Sequence, residues 1–160
     1  MLIVGLDLAL RSSGWAHLGF EDGDLLATGT IATTARDDIS QCLRTIAAEV
    51  NAVCADAADV FVEQPIAHRS GTTTISIGMV HGAVLTAVPS TTPIIRVGPT
   101  EVKRHATGRG NADKADMRRA AAMRWGELLP SDEADAAWVA DLGRHLILAA
   151  IDDHPTGART

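Results

Sequence analysis

The chain has 160 residues, 46% of them apolar, which is enough for one hydrophobic core and one domain. No run of about 18 apolar residues is present, which excludes a membrane-spanning helix, and we expect MLIVGLDL at the start to be a strand and not a signal peptide. The net charge of −6 argues mildly against a nucleic-acid partner. Cys42 and Cys54 fall roughly 18 Å apart in one predicted helix, too far for a disulfide, so we expect free thiols in a reducing cytoplasm.

Three strands are predicted in the first part of the chain. Residues 2–8 form an apolar run typical of a buried strand. Residues 13–19 and 24–31 follow, joined by the turn-rich sequence EDGD at 21–24. We therefore expect a meander of three antiparallel strands.

The rest of the chain alternates helices and strands. The predicted elements are a helix at 37–55, a strand at 59–63, a helix at 73–88, a strand at 93–97, and helices at 99–106, 113–126 and 131–151. This order predicts an α/β, ribonuclease H-like fold: a five-stranded mixed sheet, its first three strands antiparallel, flanked by helices. We expect one domain over residues 1–152 and a disordered tail over 153–160.

The charge is unevenly distributed along the chain. Residues 1–63 carry three basic and ten acidic side chains, whereas residues 96–124 carry eight basic and three acidic ones. The first segment therefore has a charge of −7 and the second a charge of +5. This asymmetry indicates a surface that faces a polyanion, although a solvated basic helix face gives the same pattern.

Four acidic side chains fall at the ends of predicted elements. Asp7 ends the first strand and Glu63 the fourth, and the carboxyl ends of parallel strands meet at one edge of a sheet. Asp132 and Asp135 open the last helix three residues apart, so they share a face. Each acid also has an ordinary explanation: a turn for Asp7, an arginine partner for Glu63, and the helix dipole for the last pair.

The conjunction of these acids favours a metal site. Two carboxylates about 4 Å apart cost about 4 kcal/mol at an effective dielectric of about 20, so they must take up protons or bind cations. Oxygen ligands alone select hard ions, Mg²⁺ or Mn²⁺. Two such ions about 3.5–4 Å apart can activate a water and stabilise the leaving oxygen in phosphodiester hydrolysis. We therefore predict that the four acids bind two divalent ions.

Five segments together resemble the RuvC-type Holliday-junction resolvases, which are ribonuclease H-like nucleases that cut four-way DNA junctions. The matching segments are GLD at 5–7 with Arg11, Ser13 and Gly14, VEQ at 62–64, IGMVHGAVL at 77–85, VKRHATGRGNADK at 102–114 and DEAD at 132–135. The resemblance implies a metal-dependent DNA endonuclease that nicks a branched substrate, a four-way junction above all, in the cytoplasm of a bacterial or virus-infected bacterial cell. It also implies a homodimer, whose two-fold symmetry suits paired nicks.

The resemblance implies roles for individual residues as well. The four acids become the catalytic, metal-binding set, and Lys103 and Lys114 become contacts to DNA phosphates. Lys114 would also steady the scissile phosphate. These are the only two lysines beside twelve arginines, and a compact ammonium differs from a guanidinium in how it binds phosphate. Arg11, Arg104 and Arg109 are further candidates for phosphate contacts.

Two positions depart from the family pattern. Leu8 and Ala9 stand where the family often has Pro-Gly, and Ile66 stands where it commonly has an aromatic wedge against junction bases. An aliphatic wedge can still unstack a base step, but aromatic stacking of about 1–3 kcal/mol per base is lost. Specificity for flaps or other branched DNA is therefore an open alternative.

Gly78 and Gly82 mark the helix that we expect at the dimer interface, since small residues let helices approach closely. Packing within the chain is their other possible role.

Three other functions fit parts of the pattern. The nearest is a monomeric ribonuclease H-like nuclease that acts on flaps or RNA–DNA hybrids. A nucleotide-binding, actin-like domain needs a second phosphate loop, for which 160 residues leave no room. A non-catalytic junction-binding protein would have no need of all four acids.

Overall fold

The computed structural model describes residues 1–66 and 70–153. The strands are β1 Leu2–Asp7, β2 Ser12–Gly19, β3 Leu25–Ala32, β4 Asp59–Glu63 and β5 Ile94–Val97. They form one sheet in the order β3-β2-β1-β4-β5, in which β1, β2 and β3 are antiparallel and β4 and β5 run parallel to β1. The predicted mixed sheet with its antiparallel meander is confirmed.

Five helices connect or follow the strands. They are α1 Ile39–Val53, α2 Gly71–Ala87, α3 Pro99–Thr107, α4 Lys114–Trp125 and α5 Ser131–Asp153. Asp113 caps α4 as expected, because its side chain accepts the backbone N–H of Asp116 at 2.8 Å. The predicted tail at 153–160 lies outside the described residues apart from Asp153. None of the described helices combines the length and the apolar character that a membrane crossing requires.

Side chains of each strand alternate between two cores on opposite faces of the sheet. On one face the residues Ile3, Ala16, Leu18, Phe61 and Val97 pack with α3, α4 and α5. On the other face the residues Val4, Leu6, Val60 and Val62 pack with α1 and α2. The same alternation directs Asp7 and Glu63, two residues beyond Gly5 and Phe61, toward the face that α5 covers.

Two glycines let α5 lie against the bare backbone of the sheet. A Cβ on Gly5 would lie 2.1 Å from the carbonyl oxygen of Ala136, and one on Gly14 would lie 1.9 Å from that of Asp132. Real Cβ atoms do not approach other atoms so closely, so any side chain at either position would lift the helix. These glycines therefore set the height above the sheet of the helix that carries Asp132 and Asp135.

Candidate active site

Four carboxylates line one cavity at the carboxyl ends of β1 and β4. The cavity has a volume of about 350 Å³, and its walls include Asp7, Glu63, Asp132 and Asp135. The last paired residues of the parallel strands β1 and β4 are Leu6 and Val62, and Asp7 and Glu63 are the next residue on each strand. The structure thus brings together all four acids that the sequence singled out, from three separate elements.

The Asp132 carboxylate is held on both of its oxygens. The Ser12 hydroxyl donates a hydrogen bond to Oδ2, and the Lys114 ammonium lies 3.5 Å from Oδ1. Beside it, the Ser13 hydroxyl donates to the Ala9 carbonyl oxygen at 2.7 Å and accepts the Ala9 N–H at 3.0 Å, which closes the turn between β1 and β2. Sequence reasoning missed Ser12, because nothing local indicates a partner 120 residues away.

Burial and mutual repulsion raise the pKa of three of the acids. Burial, then the negative charges of Glu63 and Asp135, raises the pKa of Asp7 to about 7. Burial and the charge of Asp135 raise the pKa of Glu63 to about 7, and burial raises that of Asp135 to about 6. Groups of this kind favour either a proton or a cation near neutral pH.

Both lysines of the chain lie at the cavity. Lys103 of α3 and Lys114, the first residue of α4, line its wall. Their positive charges oppose the burial that raises the pKa of Glu63 and of Asp135. The lysines are therefore placed beside the acids, and their contact with DNA stays a prediction.

The three predicted arginines are exposed, and none of them lines the cavity. Arg11 donates to the carbonyl oxygen of Thr34 and lies 3.3 Å from the sulfur of Cys42. Arg109 donates to the Asp116 carboxylate at 2.8 Å, with 63% of its own side chain exposed. Arg104 lies on α3, one residue after Lys103. Phosphate contacts for these arginines stay predictions.

The remaining walls come from the chain after Glu63 and from α2. Ile66 lines the cavity and is 57% exposed, so the residue at the wedge position is open to a substrate. The buried His81 of α2 also lines the cavity, and burial, with Arg96 adding to it, lowers the pKa of that imidazole. Nothing in the sequence pattern singled out His81, since a histidine inside a helix is usually a packing residue.

The outer surface of α2 is apolar and open. Apart from the helix's own backbone and the adjacent residues, nothing in the described part of the chain lies within 4 Å of a Cβ built on Gly78 or Gly82. Ile75, Met79 and Leu85 on the same helix are 62%, 45% and 41% exposed. Packing within the described part of the chain therefore does not explain the two glycines, and their role at a dimer interface stays a prediction.

The donor set of the cavity fits a hard divalent cation, since four carboxylates supply oxygen ligands. Within residues 1–66 and 70–153, no three acidic, histidine or cysteine side chains are already arranged to hold an ion. Asp132 instead faces Ser12 and Lys114, while burial, together with repulsion between carboxylates, raises the pKa values of the other three acids. A cation would relieve that repulsion and draw the carboxylates together.

A mixed sheet of this order, with acids at the ends of β1 and β4 and at the start of α5, defines the ribonuclease H-like class. The family model of crossover junction endodeoxyribonuclease RuvC matches residues 3–140, and the chain belongs to this family. RuvC of Rickettsia conorii is 30% identical over 148 residues, which cover 88% of this chain and 94% of that protein.

Two solved structures share the fold. Thermus thermophilus RuvC in complex with a Holliday junction substrate is 25% identical, with a TM-score of 0.77 over 95% of this chain and 96% of that one. Fowlpox virus resolvase, solved with its substrate Holliday junction DNA, is 14% identical, with a TM-score of 0.53 over 92% of this chain and 99% of that one. At that identity the viral protein is similar in fold alone.

Proposed function

We propose that this protein is a divalent-metal-dependent endodeoxyribonuclease that resolves four-way DNA junctions by paired nicks. The observation that carries the proposal is the meeting of four carboxylates from three elements in one cavity, in a chain of the RuvC family. That the Thermus relative was solved on a Holliday junction substrate supports the choice of DNA.

In this proposal the four acids hold Mg²⁺ or Mn²⁺, two ions in each active site. When bound, such ions supply an activated water and neutralise the charge that develops on the leaving oxygen. The chain itself orients the ligands: Ser12 fixes Asp132 through a hydrogen bond to Oδ2. Lys114, 3.5 Å from the other oxygen of Asp132, is the group that would bind the scissile phosphate.

The proposed DNA path runs over α3, α4 and the loop between them. Lys103 and Lys114 lie at the cavity, and the exposed Arg104 and Arg109 continue the positive surface away from it. Arg11 lies at the end of the β1–β2 turn, directly before β2. Ile66, exposed at the cavity, is placed to press against an unstacked base step.

A homodimer is the proposed active form. The open apolar surface of α2 offers an interface to a second copy, and two copies related by a two-fold axis would present two cavities for paired nicks. Such a nuclease would work in the bacterial cytoplasm, where the buried free thiols of Cys42 and Cys54 would stay reduced.

A second candidate is a nuclease of looser specificity that acts on flaps or other branched DNA. The observation that favours it is Ile66, an aliphatic residue where an aromatic one would stack on a base. The metal chemistry of this candidate is the same, so only a comparison of substrates separates the two.

The test is cleavage of matched four-way, flap and linear duplex DNA with Mg²⁺ or Mn²⁺, by the wild type, Glu63→Gln and a control, Asp56→Asn. Asp56 is an exposed acid away from the cavity. We expect paired symmetric nicks in the junction, absent in Glu63→Gln and unchanged in the control. Preferential flap cutting would support the second candidate, and no cleavage of any substrate would contradict both.

A further inference from the structure

The first five residues of α5 include three acids, and one of them, Glu133, is turned away from the cavity. Glu133 lies between the residues that line the cavity but does not line it itself. Its carboxylate reaches the edge strand β3, where the Thr28 hydroxyl donates to Oε2 at 2.6 Å and the Thr30 hydroxyl donates to Oε1 at 3.0 Å. Each oxygen of Glu133 therefore has its own hydroxyl donor.

These contacts occur at the end of α5 that lacks a side-chain cap. The carbonyl oxygen of Pro130 accepts the N–H of Ala134 at 2.9 Å, and a proline side chain offers no acceptor to the other free amides of the first turn. The buried hydroxyl of Ser131 has no hydrogen-bond partner among the described residues. The first turn is thus held by contacts with the sheet and not by a conventional cap.

The contacts with the sheet hold the turn from two sides. Thr28 and Thr30 are two residues apart, so they project from the same face of β3. Thr30 pairs with Gly14 across the sheet, and Gly14 is the residue that touches the backbone of Asp132. Ser12 of β2 binds the Asp132 side chain, while β3 binds the side chain of Glu133.

We propose that Glu133 is a positioning residue, whose carboxylate, bound by Thr28 and Thr30, fixes the first turn of α5 and thereby the metal-binding geometry of Asp132 and Asp135. The inference rests on the proposed function, because it takes those two aspartates as metal ligands. Glu133 contributes no ligand itself. It determines where the ligands stand, as outer-shell partners do in other metal sites.

The first test is Mn²⁺ affinity, measured by titration calorimetry on the full chain. Loss of an outer-shell partner typically weakens metal binding 10–100-fold, so we expect a loss of about tenfold in Glu133→Ala. The double variant Thr28→Val/Thr30→Val keeps the shape of both side chains and removes both donors, and it should lose about as much. Glu133→Gln, which keeps one acceptor oxygen, should recover most of the affinity.

The three substitutions combined decide whether one interaction is responsible. If Glu133 acts through the two hydroxyls, the triple variant binds Mn²⁺ no more weakly than Glu133→Ala does, because both changes remove the same contact. Additive losses would overturn the proposal. So would wild-type affinity in both Glu133→Ala and the threonine double variant.

A second readout does not depend on metal. Hydrogen exchange of the amides at 132–137 in the metal-free protein should be faster in Glu133→Ala and in the threonine double variant, with the rest of α5 unchanged. An increase in exchange rate that is equal along the whole of α5 would instead indicate a global loss of stability, and it would overturn the positioning role. If the wild type binds no Mn²⁺, the proposed function fails. The exchange experiment still tests whether the contacts of Glu133 with Thr28 and Thr30 hold the first turn of α5. If Glu133→Ala does not fold, the near-isosteric threonine variants carry both tests.

Discussion

Gly14 lies against the carbonyl oxygen of Asp132, with room for no side chain: a Cβ there would lie 1.9 Å from that oxygen. Gly14 is also paired with Asp7 across β1 and β2. One residue without a side chain therefore adjoins two of the four acids, and the spacing between β1 and α5 at the cavity depends on it.

Gly14→Ala should consequently damage both the fold and the site. The added methyl must push α5 from the sheet, and overpacking of this kind typically costs about 1–3 kcal/mol. We expect that loss in urea unfolding, together with weaker Mn²⁺ binding. Gly71→Ala is the matched control, because no described residue lies within 4 Å of a Cβ at Gly71, and it should unfold like the wild type.

The stability of the metal-free protein should fall as the pH rises from about 4 to 7. Asp7 and Glu63, with folded pKa values of about 7, have ordinary values near 4, so the folded state binds more protons than the unfolded state in this range. Asp7→Asn removes one such group and should stabilise the metal-free protein at pH 8 by about 1–3 kcal/mol. Urea unfolding at pH 5 and pH 8 measures both effects.

Because protons and Mg²⁺ compete for the same carboxylates, added Mg²⁺ provides a control for the pH experiment. Mg²⁺ at about 100 times its dissociation constant should stabilise the wild type by about 2.7 kcal/mol at pH 8. The gain should be much smaller at pH 5, where protons compete for the carboxylates, and absent in Asp7→Asn. A gain from Mg²⁺ that is equal at both pH values would contradict the assignment of the four acids as its ligands.

Lys114→Met should lower the cleavage rate by about 100-fold, the usual cost of losing one donor to a developing charge. The loss should appear in the rate at saturating DNA, since Lys114 lies 3.5 Å from Asp132, beside the proposed reacting phosphate. Arg36→Met, which removes an exposed cation in the acidic half of the chain, should cleave normally. Equal rates for the two variants would refute a role for Lys114 in the chemistry.

Met79→Glu should convert the proposed dimer to a monomer. Met79 is 45% exposed on the open surface of α2, so a charge there is tolerated by the free chain but not by an apolar interface. Sedimentation measures the mass, and junction cleavage should lose its paired nicks. Met123→Glu, at an 89% exposed methionine of α4, is the matched control. A wild type that sediments as a monomer at all concentrations would contradict the homodimer.

Asp141→Ala should destabilise the fold by about 1–3 kcal/mol, the usual cost of leaving largely buried polar groups without their hydrogen-bond partner. The Asp141 carboxylate is 2.8 Å from His105 and 3.7 Å from Arg124, so it joins α3 and α4 to α5 away from the cavity. Urea unfolding should show the loss. Asp152→Asn, an exposed acid on the same helix, should unfold like the wild type.

The fold could be predicted because each of its signals is local. Apolar runs predict the strands, and Asp113 predicts the start of α4 to within one residue. The acids could be placed together because the register of parallel strands brings Asp7 and Glu63 to one edge without knowledge of any side-chain contact.

The supporting contacts could not be predicted, because they depend on which distant side chain a polar group meets. Ser12 and Glu133 find partners 120 and about 100 residues away, and many other pairings were compatible with the same pattern. Arg109 is a similar case, since its basic character indicated DNA but did not reveal the Asp116 carboxylate that it binds.

The contact of α5 with bare backbone also governs how the sequence can vary. In a library of all single substitutions we expect Gly5, Gly14 and Gly143 to tolerate almost none, because a Cβ on Gly143 would lie 2.3 Å from the Phe61 ring and the other two meet the helix backbone. Gly71 should accept many side chains. These glycines, which have no side chain, would then tolerate substitution as poorly as the acids that they help to position.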